Sequence, residues 1–363
     1  MSLLPDAESF RRLVDGTARG PGPMLARTAL RVAEVPYAAA VRLRNLAFDR
    51  GLFARARAAV PVISIGNLTV GGTGKTPLVA WTVRLLVRHG LQPAIVSRGY
   101  GARPGQRSDE AAELAMLLPG VGHHAAADRR AAVARAVAAG ADVIVLDDGF
   151  QHRRLHRDLD IVVVDATDPL GGGHVLPRGL LRESPAGIAR ADAVVLSRIS
   201  SATETRRAAI RTELATACGG RLPPVWAECD HRPVGLRTAD GRVESLDRLV
   251  DARLFAFCGI GNPAAFRDTL ARISGREPAG FRGYTDHHAY SPADLDSIAS
   301  AARSMAADLV VTTLKDLVRV QRTELGGLPL AAVEIAIEFA AGAAGLESAI
   351  LAACGRPSRG STP

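Results

Sequence analysis

Short apolar runs alternate with helical patterns along most of the chain from Val60 onward. The runs in the first half read PVISIG, PAIVSRG, DVIVLDD, DIVVVDA and DAVVLSR. Apolar runs separated by helical segments predict βαβ units and a mainly parallel sheet, as in an α/β fold. Each run ends in or directly after Gly, Asp or Arg, so we expect polar groups at the carboxyl ends of the strands, where open α/β sheets bind ligands.

The pattern changes after about Ala208. The segment PVWAECDHRPVGLRTADGRVESL predicts a strand, an Asp-Gly turn and a second strand, and this hairpin is the expected linker. Beyond it, RLFAFCGIG, DLVVTTLKD and AAVEIAIEF predict further buried strands and hence a smaller second α/β domain. The predicted segments are an amphipathic helical segment at 1–50, an α/β core at 51–220, the hairpin linker at 221–250, the smaller lobe at 251–350 and a disordered tail at 351–363.

The segment from Leu25 to Arg50 reads as a helix interrupted at Pro36. Polar residues recur at helical spacing within it, as at Arg27 and Arg31, which leaves apolar residues for other faces. An amphipathic helix of this kind most often packs on its own domain. The alternative is that it lies on a membrane surface.

Composition narrows the possible partners. A chain of 363 residues with 47% hydrophobic and 23% charged residues is long enough for two packed domains. Its net charge of +8 favours an anionic partner, namely a nucleotide, a nucleic acid or an acidic membrane. Only 4% of residues are aromatic, and no stretch interleaves basic and aromatic residues, so a nucleic-acid partner is disfavoured.

The cysteines and the apolar stretches of the chain indicate in which cellular compartment the protein is expected. The four cysteines are far apart and form no CxxC pair, so neither a zinc site nor a disulfide framework is expected, and a reducing cytosol fits. No stretch approaches the ~20 uninterrupted apolar residues that a spanning helix needs. The first residues lack the basic-then-apolar order of a signal peptide. We therefore expect a cytoplasmic protein.

The strongest local signal is PVISIGNLTVGGTGKTPLVAWTVRLL, which reads as a strand, a glycine-rich turn and a helix, the context of a P-loop. The glycines would let backbone N–H groups converge on phosphate oxygens. Lys75 would supply a cation to the β and γ phosphates, and the Thr76 hydroxyl would ligate magnesium. Thr69 stands where the usual pattern begins with glycine. The predicted nucleotide-binding residues of the loop are Thr69, Val70, Gly71, Gly72, Thr73, Gly74, Lys75 and Thr76.

A P-loop also needs a carboxylate for the metal. DVIVLDDGFQHRR provides Asp147 and Asp148 at the end of an apolar strand, which is the position of the second motif of P-loop enzymes. Alternatively, the two residues only end the strand and cap the next segment. The fold class predicted is thus a P-loop NTPase-like parallel-sheet domain with a smaller α/β domain joined by a hairpin, and the predicted cofactors are ATP and Mg²⁺.

Seven motifs together go beyond a generic nucleotide site. In chain order they are GNLTVGGTGKTP, SRGYG, LDDGFQHRRL, PRGLLRE, FCGIGNP, DHH and TTLKD. Motifs in this order make the chain resemble the lipid A 4′-kinase family, and the resemblance extends from about Ala38 to Phe339. The resemblance implies transfer of the ATP γ-phosphoryl group to the 4′-hydroxyl of an acylated glucosamine disaccharide 1-phosphate. It implies a peripheral enzyme at the cytoplasmic face of the bacterial inner membrane. No nucleic-acid partner is expected, and no obligate protein partner is inferred.

The resemblance also assigns residues outside the loop. It implies that Asp147 and Asp148 belong to the magnesium site, and it places Gln151 in nucleotide binding. Arg182 would stabilise charge on the transferred phosphoryl group, and Glu183 would ligate magnesium directly or through water. Alternatively, Arg182 and Glu183 form a surface ion pair.

The resemblance also implies which residues act on the sugar hydroxyl that accepts the phosphoryl group. Family members have a general-base aspartate shortly after SRGYG and a supporting histidine in the second lobe, and the matching residues are Asp109 and His287. A positioned carboxylate would accept the proton of the sugar hydroxyl while the histidine orients or shares it. The segment before Asp109 is shorter than is usual in the family, and Asp109 would alternatively be the N-cap of the helix EAAELAMLL.

A multiply acylated disaccharide stays in a bilayer, so the active site must come to the membrane. The best candidate for docking is the helix from Leu25 to Arg50, with apolar residues for the acyl boundary and basic residues for anionic headgroups. The predicted membrane-facing residues are Leu30, Val41, Leu43, Leu46, Phe48, Arg27, Arg31, Arg42, Arg44 and Arg50.

Two other functional classes compete with a lipid kinase. Membrane-partitioning and metallocluster-assembly ATPases carry a P-loop that reads KGGxGKT, but Val70 occupies the place of their signature lysine. A nucleotide-gated binding module without enzymatic activity would bind phosphate but would not need an acceptor-site base. Slow loss of ATP without lipid phosphorylation would favour that second class.

Overall fold

The computed structural model describes residues 7–99 and 108–355. The chain divides into two compact units. Unit 1 comprises residues 1–101, 118–231 and 337–363, and unit 2 comprises residues 102–117 and 232–336. The domain boundaries expected from the sequence stay a prediction. Of the predicted disordered tail, positions 356–363 lie outside the described residues.

Helices are distributed over both units. In chain order they are α1 (Ala7–Val14), α2 (Pro21–Asp49), α3 (Lys75–Arg88), α4 (Asp109–Leu117), α5 (Arg129–Ala138), α6 (Glu204–Ala217), α7 (Arg248–Asp251), α8 (Pro263–Ser274), α9 (Pro292–Ser304), α10 (Leu314–Val320) and α11 (Ala343–Ala353). Short 3₁₀ turns are found at Gly171–Gly173, Pro185–Arg190 and Ile199–Ser201.

The strands follow the apolar runs of the sequence. In chain order they are β1 (Val62–Gly66), β2 (Pro93–Ser97), β3 (Gly122–Ala125), β4 (Val143–Asp147), β5 (Leu159–Asp165), β6 (Ala193–Ser197), β7 (Val225–Arg237), β8 (Val243–Glu244), β9 (Leu254–Cys258), β10 (Gly280–Gly283), β11 (Leu309–Thr313), β12 (Glu324–Leu325) and β13 (Leu328–Ala341).

In unit 1 the strand order is β7, β6, β5, β1, β4, β2, β3, and each neighbouring pair is parallel. Strands β1, β4, β5 and β6 are buried along their whole lengths, as expected for a parallel sheet covered on both faces. Each fully buried Val, Leu or Ile side chain contributes about 1.5–3 kcal/mol. The predicted α/β fold is confirmed, and the carboxyl ends of β1, β4, β5 and β6 meet at one edge.

In unit 2 strands β10, β9, β11 and β13 pair in parallel in that order, and β12 pairs antiparallel with β13. Strand β8 pairs antiparallel with the Leu236–Arg237 end of β7, and Asp240 and Gly241 lie in the turn between them. The predicted hairpin and the predicted buried strands of the second half are thus confirmed.

Helix α2 continues through Pro36 and is not interrupted there. Pro36 lacks the N–H that would bond to the carbonyl four residues earlier, and the other residues of this 29-residue helix remain helical on both sides of it. The expected interruption at Pro36 is therefore wrong. Among the described residues, no helix is long and apolar enough to cross a bilayer.

Candidate active site

The glycine-rich loop occupies the chain between β1 and α3, at the carboxyl end of the central strand of unit 1. Gly71 and Gly74 adopt positive φ angles of 115° and 84°, which only glycine adopts without strain. Gly74 is the N-cap residue of α3 and has no side chain to cap the helix, so the first N–H groups of α3 remain available for an anion. The loop therefore has the backbone of a phosphate site.

Thr69 replaces the first glycine of the usual pattern because its backbone does not need a positive φ. The residue forms a bridge with Leu181, and the neighbouring Val70 N–H donates to the Leu180 carbonyl at 2.8 Å. The Thr69 carbonyl accepts a hydrogen bond from Asn67 Nδ2 at 2.8 Å. This end of the loop is fixed by extended pairing, which a β-branched residue suits.

Lys75 is held at the start of α3 by two acceptors. Its Nζ donates to Oδ1 of Asn67 at 3.0 Å and lies 3.6 Å from Oδ1 of Asp148. The predicted loop lysine and the second predicted aspartate therefore lie in one cluster. Asn67 was missed from the sequence, although it directly follows β1 in the motif GNLT.

The two aspartates follow β4 and differ in environment. Asp147 ends the strand and is buried, whereas Asp148 adopts a φ of 53°, which turns the chain away from the sheet. Oδ2 of Asp148 accepts from Arg182 Nη1 at 2.7 Å. Burial raises the pKa of Asp148, but Lys75 and Arg182 outweigh burial, so the pKa lies below its ordinary value and the carboxylate is charged at neutral pH.

Gln151 and Glu183 form a second layer behind the loop. Nε2 of Gln151 donates to the Asn67 carbonyl at 2.9 Å and to Oε1 of Glu183 at 3.2 Å. Glu183 is almost completely buried, and its oxygens also accept from Asn45 and from Arg190. Its role as a magnesium ligand stays a prediction. The hydrogen bonds observed are those of a group that orients Gln151 and anchors α2.

Three residues on or just after neighbouring strands brace the loop, and sequence reasoning missed all of them: Ser197 ends β6, Arg198 follows it, and His231 lies within β7. Ser197 Oγ donates to the Thr73 carbonyl at 2.9 Å, and Arg198 Nη2 donates to the Gly72 carbonyl at 2.8 Å while Nη1 pairs with Asp165. The ring of His231 packs against Gly74, where a Cβ would lie 2.2 Å from its Cε1. Burial lowers the pKa of His231 to about 4, so the ring is neutral at pH 7.

The residues around the loop suit a divalent cation bound together with phosphate. Oδ1 of Asp148 and Oγ1 of Thr73 are buried and make no hydrogen bond among the described residues. Thr76 lies in the first turn of α3. Among the same residues no group of three or more His, Cys, Asp and Glu side chains converges. Magnesium bound through one or two protein oxygens and substrate phosphates needs no such group, so the donor set fits.

The predicted acceptor residues lie in unit 2, where Asp109 is the first residue of α4. Ser108 and not Asp109 caps this helix, because the Ser108 Oγ accepts from the Ala111 N–H at 3.3 Å. The Asp109 carboxylate therefore remains for other partners. Its Oδ2 lies 3.2 Å from Nδ1 of His287, so the structure brings the two predicted residues together.

Arg319 of α10 completes this pair and was missed from the sequence. Its Nε and Nη2 donate to Oδ2 of Asp109 at 2.8 and 2.6 Å, and its Nη1 donates to the fully buried Asp316 at 3.0 Å. Burial raises the pKa of Asp109, but hydrogen bonds and charges of Arg319 and His287 bring it below its ordinary value. The motif TTLKD ends at Asp316, three residues before Arg319, and was the available signal.

His287 lies in a turn with a φ of 60°. The next residue, His288, makes a different set of contacts. His288 stacks on Tyr284 and its Nε2 lies 3.2 Å from Oδ2 of Asp294, the residue that completes the capping box of α9. His287 Nε2 lies 3.0 Å from Nζ of Lys315. The two histidines therefore do not form a metal site together, and only His287 joins the cluster of Asp109.

Comparisons with known proteins agree with one another. The sequence matches the family described as tetraacyldisaccharide-1-P 4′-kinase (LpxK) over residues 26–355. A tetraacyldisaccharide 4′-kinase of Anaeromyxobacter sp. (strain Fw109-5) is 42% identical over 362 residues, covering 94% of this chain and 95% of that protein. The enzyme of that name from Syntrophus aciditrophicus (strain SB) is 39% identical, covering 85% and 89%.

A solved structure is also similar. LpxK from Aquifex aeolicus, crystallised in complex with ATP, matches with a TM-score of 0.72 at 28% sequence identity. The match covers 91% of this chain and 99% of that one.

Proposed function

Because the chain belongs to the tetraacyldisaccharide 4′-kinase family, we propose that the cluster around Lys75 binds the phosphates of ATP and that Asp109 and His287 act on the sugar hydroxyl. The enzyme transfers the γ-phosphoryl group of ATP to the 4′-hydroxyl of an acylated glucosamine disaccharide 1-phosphate, a step of lipid A biosynthesis. The observation that best supports these roles is the 3.6 Å approach of Lys75 to Asp148 at the end of β4.

The direct test of this function mixes the purified chain with γ-labelled ATP, Mg²⁺ and an acylated disaccharide 1-phosphate in detergent. Label is expected in the lipid. Loss of ATP without labelled lipid would favour the nucleotide-gated module and would contradict the proposed roles.

Different residues of unit 1 would make different contacts with the nucleotide. Backbone N–H groups of Gly72 to Lys75 would bind phosphate oxygens, and Lys75 would move from Asn67 to the β and γ phosphates. Arg182, held by Asp148 at 2.7 Å, would neutralise charge on the transferred group. Gln151 would keep Asn67 and hence the loop in place.

Thr76, Asp147 and Asp148 would hold the Mg²⁺ ion, and Glu183 stays a further predicted ligand. A divalent cation held by these residues would supply positive charge that stabilises the negative charge developing on the phosphates. Asp148 is suited to this role because its carboxylate is charged at neutral pH and its Oδ1 makes no hydrogen bond among the described residues.

If Asp109 and His287 act as one unit, single variants should lose turnover and the double variant should lose little more. Asp109→Asn and His287→Gln are each expected to lower kcat by ~10²-fold or more, the contribution of a positioned base, while KM for ATP stays near normal. The Asn variant is chosen because it leaves Arg319 an oxygen acceptor. Steady-state kinetics of the two singles and the double check this.

Losses that simply multiply in the double variant would show that the residues act independently. Full activity of Asp109→Asn would leave Asp109 a structural partner of Arg319. His288→Gln is the matched control, because His288 stacks on Tyr284 and does not join the pair.

The outer face of α2 supports docking on the inner-membrane surface. Apolar side chains at helical spacing lie on one stripe roughly 100° wide, and every one of them is exposed. The stripe consists of Leu25, Val32, Val35, Leu43 and Leu46. Arg31 and Arg42 are exposed at its border, within reach of anionic headgroups. This corrects the residues expected from the sequence, since Phe48 is buried and Leu30 and Val41 are half-buried.

The opposite face of α2 is tied to the kinase site. Glu34 accepts from the Val175 N–H at 2.8 Å, Tyr37 donates to the Arg182 carbonyl at 3.2 Å, and Asn45 donates to Glu183 at 2.7 Å. Phe48 packs against Phe53 and beneath Arg153. Because one face contacts residues of the site, the other is free to lie on the cytoplasmic side of the inner membrane, where the lipid substrate resides.

Replacing Val32 and Leu43 by Glu should weaken membrane binding and leave the fold intact. Sedimentation with anionic vesicles is expected to fall several-fold, and the apparent KM for vesicle-embedded substrate is expected to rise. Any basal ATP hydrolysis should remain unchanged, because neither side chain contacts the nucleotide residues.

Val87→Glu is the matched control, because Val87 is an exposed valine on α3. If Val32→Glu with Leu43→Glu lowers thermal stability and ATP hydrolysis together, α2 is buried in the working enzyme and the docking proposal is wrong. The docking proposal would also be contradicted if the double variant of α2 and the Val87→Glu control sedimented with anionic vesicles to the same extent.

A further inference from the structure

An arginine of the first helix, α1, lies beside the phosphate loop. A Cβ added at Gly71 would lie 3.8 Å from Nη2 of Arg11. Both residues are exposed to solvent. Among residues 7–99 and 108–355, no hydrogen bond or ion pair of the Arg11 guanidinium is found. A cation without a partner of its own, placed beside a loop that binds phosphate, is suited to bind a phosphate oxygen.

Contacts of α1 with unit 1 explain why Arg11 faces the loop. Arg11 and Val14 are three residues apart in the helix, so they lie on the same side of it. The Val14 side chain is only 5% exposed, and its carbonyl accepts from Nη1 of Arg178 at 2.9 Å. The chain after the helix is held as well, because the Ala18 carbonyl accepts from Nη1 of Arg27 at 2.7 Å. The side of α1 that carries Arg11 is therefore the side that packs on the protein.

The neighbours of Gly71 indicate which phosphate Arg11 would meet. The Arg182 N–H donates to the Leu68 carbonyl, three residues before Gly71, at 2.7 Å. The guanidinium of Arg182 donates to Oδ2 of Asp148 at 2.7 Å. The start of the loop is thus joined to the residues proposed to hold the metal and the transferred group. Arg11 approaches the loop on that side, where the γ-phosphate would lie.

We infer that Arg11 binds the γ-phosphate of ATP, so that arginines from α1 and from the PRGLLRE segment hold the transferred group together. This inference rests on the proposed phosphate site. The family match begins at residue 26, so α1 lies outside the region that it covers. Val70 stands where the membrane-partitioning ATPases carry their signature lysine, and Arg11 places a cation beside the next residue of the loop.

A guanidinium suits the chemistry of the transferred group. In the reaction the sugar oxygen forms a bond to the γ-phosphorus, and its proton passes to the proposed pair of Asp109 and His287. The bond from the γ-phosphorus to the bridging oxygen breaks, and its electron pair leaves with ADP. The charge of the group in flight is spread over three oxygens, and a planar fork of N–H donors is able to bind two of them at once. Arg11 keeps its own protons throughout.

Arg11→Ala should weaken the binding of ATP but not that of ADP, because ADP has no γ-phosphate. Isothermal titration calorimetry of the full chain in Mg²⁺, with a non-hydrolysable ATP analogue and with ADP, measures both affinities. The Kd of the analogue is expected to rise about tenfold, as for loss of a hydrogen bond between charged groups, while the Kd of ADP stays the same. An unchanged Kd of the analogue overturns the inference. An equal loss for both nucleotides also overturns it, since Arg11 would then only shape the loop.

Two further variants separate this contact from a general effect of positive charge. Arg11→Lys keeps the charge and loses the fork, so its affinity for the ATP analogue should lie between those of the wild type and Arg11→Ala. Arg12→Ala is the matched control, because Arg12 is an exposed arginine of the same helix and lies on a different side of it from Val14. Wild-type affinities are expected for this control. An equal loss in Arg11→Ala and Arg12→Ala overturns the inference.

Turnover provides a second measurement. The kcat of Arg11→Ala for lipid phosphorylation is expected to fall by ~10²-fold, with an unchanged Tm because the side chain is exposed. If Arg11→Ala lowers sedimentation with anionic vesicles and leaves nucleotide binding unchanged, Arg11 binds lipid headgroups and the inference is wrong. Absence of lipid phosphorylation by the wild type would instead be a failure of the proposed function, and the comparison of ATP analogue with ADP does not depend on it.

Discussion

Lys75→Ala should lose phosphoryl transfer by on the order of 10³-fold or more, about 4 kcal/mol of transition-state stabilisation. Lys75 is held by Asn67 at 3.0 Å in the phosphate loop, and no other cation of the described loop residues 67–76 would replace it. Thr76→Ala should be similarly impaired, because a magnesium ligand is lost. Transfer of label from γ-labelled ATP to the acylated disaccharide measures both effects.

The fold should survive Lys75→Ala, because the side chain, although only 13% exposed, contacts the polar groups Asn67 and Asp148 and is not part of the apolar core. Arg88→Ala is the matched control, since it removes an exposed cation from the last turn of the same helix. Lipid phosphorylation within twofold of wild type in Lys75→Ala would remove the loop from the reaction.

Asp148→Asn is expected to lower transfer by ~10²-fold or more, and excess Mg²⁺ or Mn²⁺ should restore part of it. The variant loses the charge that faces Lys75 at 3.6 Å and Arg182 at 2.7 Å, and it weakens a metal ligand without removing an oxygen. Asp147→Asn should also be impaired. Activity measured as a function of Mg²⁺ or Mn²⁺ concentration shows which of the two variants needs more metal than the wild type.

Asp142→Asn is the matched control for both variants, because Asp142 is exposed just before β4 and lies at the opposite end of the same strand. If metal titration curves of Asp147→Asn and Asp148→Asn both match the wild type, the ion is bound elsewhere, with Glu183 as the remaining predicted ligand.

The phosphate site could be located from the sequence because its parts are contiguous. A strand, Gly71 to Gly74, Lys75 and a helix follow one another, so local pattern and function coincide. The residues that brace the loop could not be found this way. Ser197 lies 124 positions from the Thr73 carbonyl that it binds, and Arg198 lies 126 positions from Gly72. Only the order of the strands in the sheet brings them together.

The residues around Asp109 are also far apart in the sequence, so local patterns could not bring them together. Asp109 and His287 were assigned through a family resemblance, and they are 178 positions apart in the chain. Arg319 is 210 positions from Asp109 and has no motif of its own. Helical spacing identified α2 as amphipathic, but Phe48 was assigned to the outer face because an apolar side chain alone does not say which surface covers it.

The scarcity of lysine makes the two sites separately visible to chemical labelling. Lys75 and Lys315 are the only lysine side chains of the chain, one in the phosphate loop and one beside His287. An acylating reagent that reacts with primary amines would therefore report on each site through a different peptide. Nucleotide should shield the peptide of Lys75 and the acceptor should shield that of Lys315, so mass spectrometry of one sample could follow the occupancy of both substrates at once.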